Sequence, residues 1–241
     1  MTTIDSFNRP ELNVQPLREQ IAAWLRTAIF KGIYKEGQEL RQEQLASELN
    51  VSRMPVREAL QMLEKEGILE LRPHRGALVK PIDASFIMET YDIRIMLEGE
   101  AAYLATPKLT KEDDSYLLSE HEQEAAAIAL SDVTALRNLN REFHHFIWEK
   151  SENSQLIALL QNKFESSQNF FYKPKMEQNT FVPATFGAHK AVINAMLARD
   201  AAAARDAMRA HIAISKNRTL KHFTDSQSPD DGERSLIPLN L

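Results

Sequence analysis

The stretch SRMPVREAL, Ser52 to Leu60, decides the fold. Ser52 can cap a helix with its hydroxyl. Pro55 falls in the first turn, where a missing N–H costs little. Val56, Ala59, Leu60 and Leu63 recur at i, i+3, i+4 and i+7, which makes one apolar stripe for a core. Arg53 and Arg57 stand four apart on a different face, near the helix start. Arginine is the side chain best able to grip guanine O6 and N7, or a phosphate, with two hydrogen bonds. Sixteen residues after Leu60 comes Gly76, in the run RPHRGALV.

The flanks extend the pattern. Pro16 opens a helix in which Leu17, Ile21, Trp24, Leu25, Ala28 and Ile29 share one side. Gly32 and Gly37 punctuate its end. A short strand is expected at Leu40–Arg41, then a helix from Gln42 to Leu49, with Asn50 suited to a left-handed turn before the next helix. Gly67 ends that helix. Residues 68–71 and 77–79 read as two strands joined by Arg72, Pro73, His74, Arg75 and Gly76. A two-stranded basic tip of this kind is a wing, and glycine lets its backbone approach a groove or a phosphate closely. The expected domain, residues 10–80, is a winged helix-turn-helix that binds double-stranded DNA. Its candidate contacts are Arg41, Ser52, Arg53, Pro55, Arg57, His74, Arg75 and Gly76.

Residues 14–80 resemble the DNA-binding domain of the GntR family of bacterial transcription regulators. The matching text is LREQI (17–21), Ile29-x-x-Gly32, G-x-x-L (37–40), LA-x-x-L (45–49), VSRMPVREAL (51–60), L-x-x-EGIL (63–69) and RG-x-x-V (75–79). The resemblance implies DNA contacts from Arg53, Arg57 and the wing tip His74, Arg75 and Gly76. It also implies a basic residue early in the second helix. Glu43 stands there instead, and Arg41, two residues earlier, is the candidate substitute.

The chain has 241 residues, enough for two modest domains, and a net charge of −5. That charge is uneven. Residues 1–80 hold 12 Lys+Arg against 11 Asp+Glu, leaving 17 against 23 of the chain's 29 and 34. The acidity lies in the second part, and DNA affinity depends on local cations at the phosphates. Cysteine is absent, which excludes disulfides and thiolate metal sites and fits a reducing cytosol. The N-terminus lacks signal-peptide character and no run approaches a membrane span, so a cytoplasmic location with no membrane partner is expected.

After Pro81, Gly and Pro become rare. Six helices are expected, over 84–105, 111–130, 133–150, 154–173, 180–198 and 201–222. Asp83, Thr110, Asp132, Ser154, Thr180 and Asp200 are their candidate caps. The fold class is therefore mainly α: the winged head, then an all-α antiparallel bundle over 84–223, then a polar, mobile tail over 224–241. Asn140 and His144 are four apart on one helix face; His189 and His211 lie mid-helix among apolar residues. Three imidazoles and an amide oxygen from three helices can enclose a divalent cation such as zinc, nickel or manganese, leaving positions open for water or a ligand carboxylate. The alternative is that each is an ordinary core histidine. His145 points about 100° away from His144, and His121 and His222 read as surface residues. Arg94 is a candidate clamp for an effector carboxylate, or else the i,i+4 partner of Glu98.

Residues 84–222 resemble the FadR-type C-terminal ligand-binding domain. Its metal-holding members show Asp-x-x-x-His on one helix and a His on each of two later helices. Here the text is NREFH at 140–144, with Phe143 before the first His, Asn153 in SENSQL, then His189 and His211. Asn140 stands where the resemblance implies Asp: either the ion is held more weakly and its charge is left for an anionic effector to balance, or the site holds no ion and the histidines bind the effector directly. The resemblance implies effectors among organic acids, sugar acids, amino acids or acyl-CoA. The expected protein is a regulator, not an enzyme: a homodimeric repressor on a palindromic operator, released or engaged by a small organic acid bound through Arg94, His144, His189 and His211. Two rivals are a helical-bundle metal-dependent hydrolase and a DNA-binding protein whose helical domain only dimerises. Against the hydrolase, there is no H-E-x-x-H, and Glu142 points off the site face.

Overall fold

The structure is a computed structural model that describes residues 16–73, 76–168 and 182–225. It divides into two compact units, Met1–Pro81 and Ile82–Leu241.

In the first unit, α1 (Leu17–Phe30), α2 (Gln42–Glu48) and α3 (Arg53–Lys65) are joined by three short strands: β1 (Glu39–Leu40), β2 (Leu69–Arg72) and β3 (Gly76–Val79). The stripe anticipated on α3 is the core: Val56, Ala59, Leu60 and Leu63 are all 0% exposed. On α1 the inner face is Ile21, Ala22, Leu25, Ala28 and Ile29. Leu17 is exposed rather than inward, because it sits on the first, solvent-facing turn. Arg26 and Glu66 form a buried two-bond pair, Nε to Oε2 at 2.7 Å and Nη2 to Oε1 at 2.5 Å, tying α1 to the end of α3. Asn50 takes φ 52 and Gly67 φ 82, the left-handed conformations that end α2 and α3.

The wing differs from the expected pair of strands. β1 adds a third, in the order β1-β3-β2, with Leu40 opposite Ala77 and Leu71 opposite Ala77 on its other side. The strand expected at Leu40–Arg41 lies one residue earlier, since Arg41 is already the residue that precedes α2. Ser52 precedes α3 in extended conformation, but its hydroxyl makes no capping bond. An N-cap oxygen accepts from the second or third helical N–H, and the third residue here is Pro55, which has none.

The second unit contains α4 (Ala84–Ala105), a 3-10 turn (Thr106–Lys108), α5 (Lys111–Ala129), α6 (Val133–Lys150), α7 (Ser154–Gln168), α8 (Val182–Leu197) and α9 (Ala201–Asp225). Asp83, Thr110, Asp132 and Asp200 accept the first-turn N–H bonds expected of them, Thr110 and Asp113 reciprocally. Ser154 does not cap α7; Asn153 Oδ1 does, accepting from the Leu156 N–H at 3.1 Å. Thr180, the expected helical residues 169–173 and 180–181, and 226–241 of the tail lie outside the described residues, while α9 continues through Asp225. The central helix is α4, which packs along α9 and also touches α6 and α7. It is therefore buried on several sides, and the charged Arg94 and Glu98 within it are 3% and 0% exposed.

Candidate metal centre and nucleic-acid interface

Helices α6, α8 and α9 bring His144, His189 and His211 together, each 1–2% exposed. One ring nitrogen from each lies within 4.8 Å of the other two. His211 Nε2 is 3.2 Å from His144 Nε2. Phe143 stacks on His189 at 4.2 Å between centroids, and Phe164 and Trp148 flank His144.

Two carboxylates stand behind the rings. His144 Nδ1 lies 2.5 Å from Glu98 Oε2 on α4, and His189 Nδ1 lies 3.0 Å from Glu124 Oε1 on α5. A carboxylate at one imidazole nitrogen fixes the ring and turns the other nitrogen toward a ligand. His189 Nε2, on the opposite side of the ring from Glu124, is buried without a hydrogen-bond partner, a costly state that a bound group would relieve. Burial lowers the His211 pKa well below its ordinary value, with His189 and His144 adding to it. Burial also lowers His144, against the raising effect of Glu98. Neutral imidazole is the form that binds metal. Burial alone would raise the Glu98 carboxyl, but Arg94 and then His144 outweigh it and hold it at about 2.

Asn140, 8% exposed, sits one turn before His144. Arg94 is not an open clamp. Its Nε donates to Glu98 Oε1 and its Nη1 to Ser167 Oγ, both at 2.7 Å. A guanidinium this deeply buried must be paired, and the i,i+4 alternative is the one the structure adopts. His121 is not a surface residue either. With Glu120, Glu124, Leu139, Phe143, His189 and Ile193 it lines a cleft of about 200 Å³, part of it open to solvent, beside the three rings. Burial pushes the Glu120 carboxyl up, against the Tyr116 hydroxyl; Glu142 and Glu124 add, and it reaches about 7. Sequence reasoning missed Glu120 and Glu124. No local signal marks Glu124, which meets His189 across 65 residues.

In the first unit, Arg53 and Arg57 are exposed on α3, with Arg41 exposed ahead of α2 and Ser52 exposed ahead of α3. Pro55 is half-buried. Gly76 opens β3 at φ 96, where an added Cβ would run into the Leu40 carbonyl. Its need for glycine thus arises within the sheet, whatever the wing touches. His74 and Arg75 lie outside the described residues. Glu43 pairs with Arg53: Nη1 and Oε1 are 2.7 Å apart.

The family model of bacterial regulatory proteins, gntR family, matches residues 17–79, and that of the FCD domain matches residues 89–214. The Uxu operon transcriptional regulator of Escherichia coli (strain K12) is 28% identical over 224 residues, 84% of this chain and 86% of that protein. An uncharacterized HTH-type transcriptional regulator, YdhC of Bacillus subtilis (strain 168), is 34% identical over 139 residues. That match spans 57% of this chain and 62% of the relative, under two thirds of its length. Among solved structures, E. coli McbR/YncC superposes with a TM-score of 0.66 at 23% identity, over 87% of this chain and all of that one, which supports the fold. A GntR family member from Pseudomonas syringae pv. tomato gives 0.50 at 29% identity, over 88% and 91%.

Proposed function

Because the chain belongs to the GntR family of bacterial regulatory proteins, its head followed by an FCD domain, we propose that it is a repressor whose operator affinity is set by a small carboxylate effector held through a divalent ion at His144, His189 and His211. That it is a DNA-binding transcriptional regulator follows from the family. No helix among the described residues is long and apolar enough to cross a membrane.

The observation that carries the reading is the trio of buried imidazoles with carboxylates behind two of them. The donor set fits zinc, nickel or manganese, with Asn140 as a neutral fourth ligand. A bound ion would supply a Lewis-acidic anchor for an anion. Glu98 is already neutralised by Arg94, so Glu124 is the carboxylate left to face the ion's two charges. An effector carboxylate completes the balance, approaching from the side of the cleft that His189 lines. For the head, one short helix and a wing cover few base pairs. Two copies on a palindrome multiply the contacts, and a homodimer is the corresponding assembly. The effector acts only through the difference in its affinity for the two arrangements of the heads.

Elemental analysis of purified wild type and His189→Ala tests the centre. Near-stoichiometric zinc, nickel or manganese is expected in wild type and not in the variant. Metal absent from both would overturn the metal reading and leave the histidines as core or direct effector contacts.

A further inference from the structure

The second residue of α2, Glu43, is acidic, and Arg53, the first residue of α3, reaches it. Arg53 and Glu43 are 69% and 71% exposed along their side chains. Neither is needed for packing: α2 is anchored by Leu45 and Ala46, and α3 by its buried stripe. An exposed ion pair adds little to stability, so its place calls for another explanation.

A carboxylate beside the phosphates weakens binding to every sequence alike, unless a base offers it a donor. In the major groove those donors are cytosine N4–H₂ and adenine N6–H₂. Cytosine N4 shares a base pair with the guanine O6 and N7 that arginine prefers. A guanidinium and a carboxylate held side by side therefore match the edge of a G·C pair. Resting on the DNA-binding assignment of the head, we propose that Glu43 is a specificity-determining residue that accepts a hydrogen bond from cytosine N4–H₂ while Arg53 holds a guanine, the two side chains reading G·C as a unit. In the free protein the same pair keeps Arg53 at the reading end and withholds its charge from random phosphates.

The test selects full-length wild type, Glu43→Ala and Glu43→Gln against a randomised duplex library. Each is then titrated with the selected duplex and a scrambled one. Wild type is expected to fix a G·C pair at one position per half-site. Glu43→Ala should relax that position alone, losing about tenfold to a hundredfold discrimination, and should bind scrambled duplex more tightly. Glu43→Gln should shift the preference toward adenine, since an amide both donates and accepts. Matching circular dichroism would show that the exposed substitutions leave the fold intact. An unchanged motif in Glu43→Ala, with affinity raised equally for all sequences, would overturn the proposal and leave Glu43 as an electrostatic brake. A wild type that selects no motif would overturn the DNA-reading assignment itself.

Discussion

Glu98→Gln isolates the charge at the centre of the second unit. The Glu98 carboxylate is 0% exposed and meets Arg94 Nε at 2.7 Å and His144 Nδ1 at 2.5 Å. The amide keeps the shape but leaves the Arg94 guanidinium buried without a counter-charge. Removing one partner of a buried pair costs about 3–5 kcal/mol. The pKa gives a similar size: holding the carboxyl at about 2 instead of 4.5 corresponds to about 3 kcal/mol. Because the folded value is depressed, that stabilisation is present above about pH 4.5 and is lost as the pH falls through about 2. With a urea slope of about 2 kcal/mol/M, the unfolding midpoint should drop by about 2 M at neutral pH. The assay is Trp148 fluorescence during urea unfolding, in a Trp24→Phe background, since these are the chain's two tryptophans. Adding Arg94→Met should restore part of the loss by removing the orphaned cation. A loss below about 1 kcal/mol at neutral pH, or purely additive effects of the two substitutions, would refute the argument that a desolvated ion pair organises this centre.

Further outcomes concern the head. Arg57→Ala should weaken specific operator binding about tenfold to a hundredfold while leaving the fold intact, as fluorescence anisotropy with a selected duplex would report; unchanged affinity would remove α3 from the role of recognition helix. Gly76→Ala should cost about 1–3 kcal/mol, read as a lower Tm for the head, because φ 96 and the Leu40 carbonyl leave no place for a Cβ. An unchanged Tm there would mean that the β1–β3 contact yields freely.

Much of this architecture is legible in the sequence because local chemistry and global packing agree. The stripe of Val56, Ala59, Leu60 and Leu63 gives α3, and Asp83, Thr110, Asp132 and Asp200 mark helix starts through a side-chain oxygen. The failures are those of competition between neighbours or of distance. Asn153 and Ser154 are adjacent candidates for one cap, and Asn takes it. Ser52 has the right chemistry, but Pro55 removes an N–H that it would bind. β1 is two residues long, too short to show any alternation. The three histidines can be singled out from their apolar surroundings. Their supporting carboxylates cannot: the spacing of Arg94 and Glu98 offers an i,i+4 pair as one alternative, with nothing to mark it as buried among the helix's other charges, Glu89, Asp92 and Glu100. That Glu98 also turns to His144 is knowable only from the packing of α4 against α6.

The two-residue strand β1 has an effect larger than its length. Gly37 N–H donates to Val79 O at 2.9 Å and Val79 N–H to Gln38 O at 3.0 Å, so the root of the wing is stitched to the segment just before α2. Arg41 follows at once, then Glu43, which holds Arg53. A chain of contacts thus runs from the root of the wing to Arg53, the first residue of α3. On the proposed reading, in which the wing and Arg53 both meet the duplex, a groove that displaces the wing would bear on that side chain too, so flanking and central bases would not be sensed independently. Substitutions at the wing root and at the start of α2 should accordingly show epistasis in operator choice, even though no side chain is shared between them.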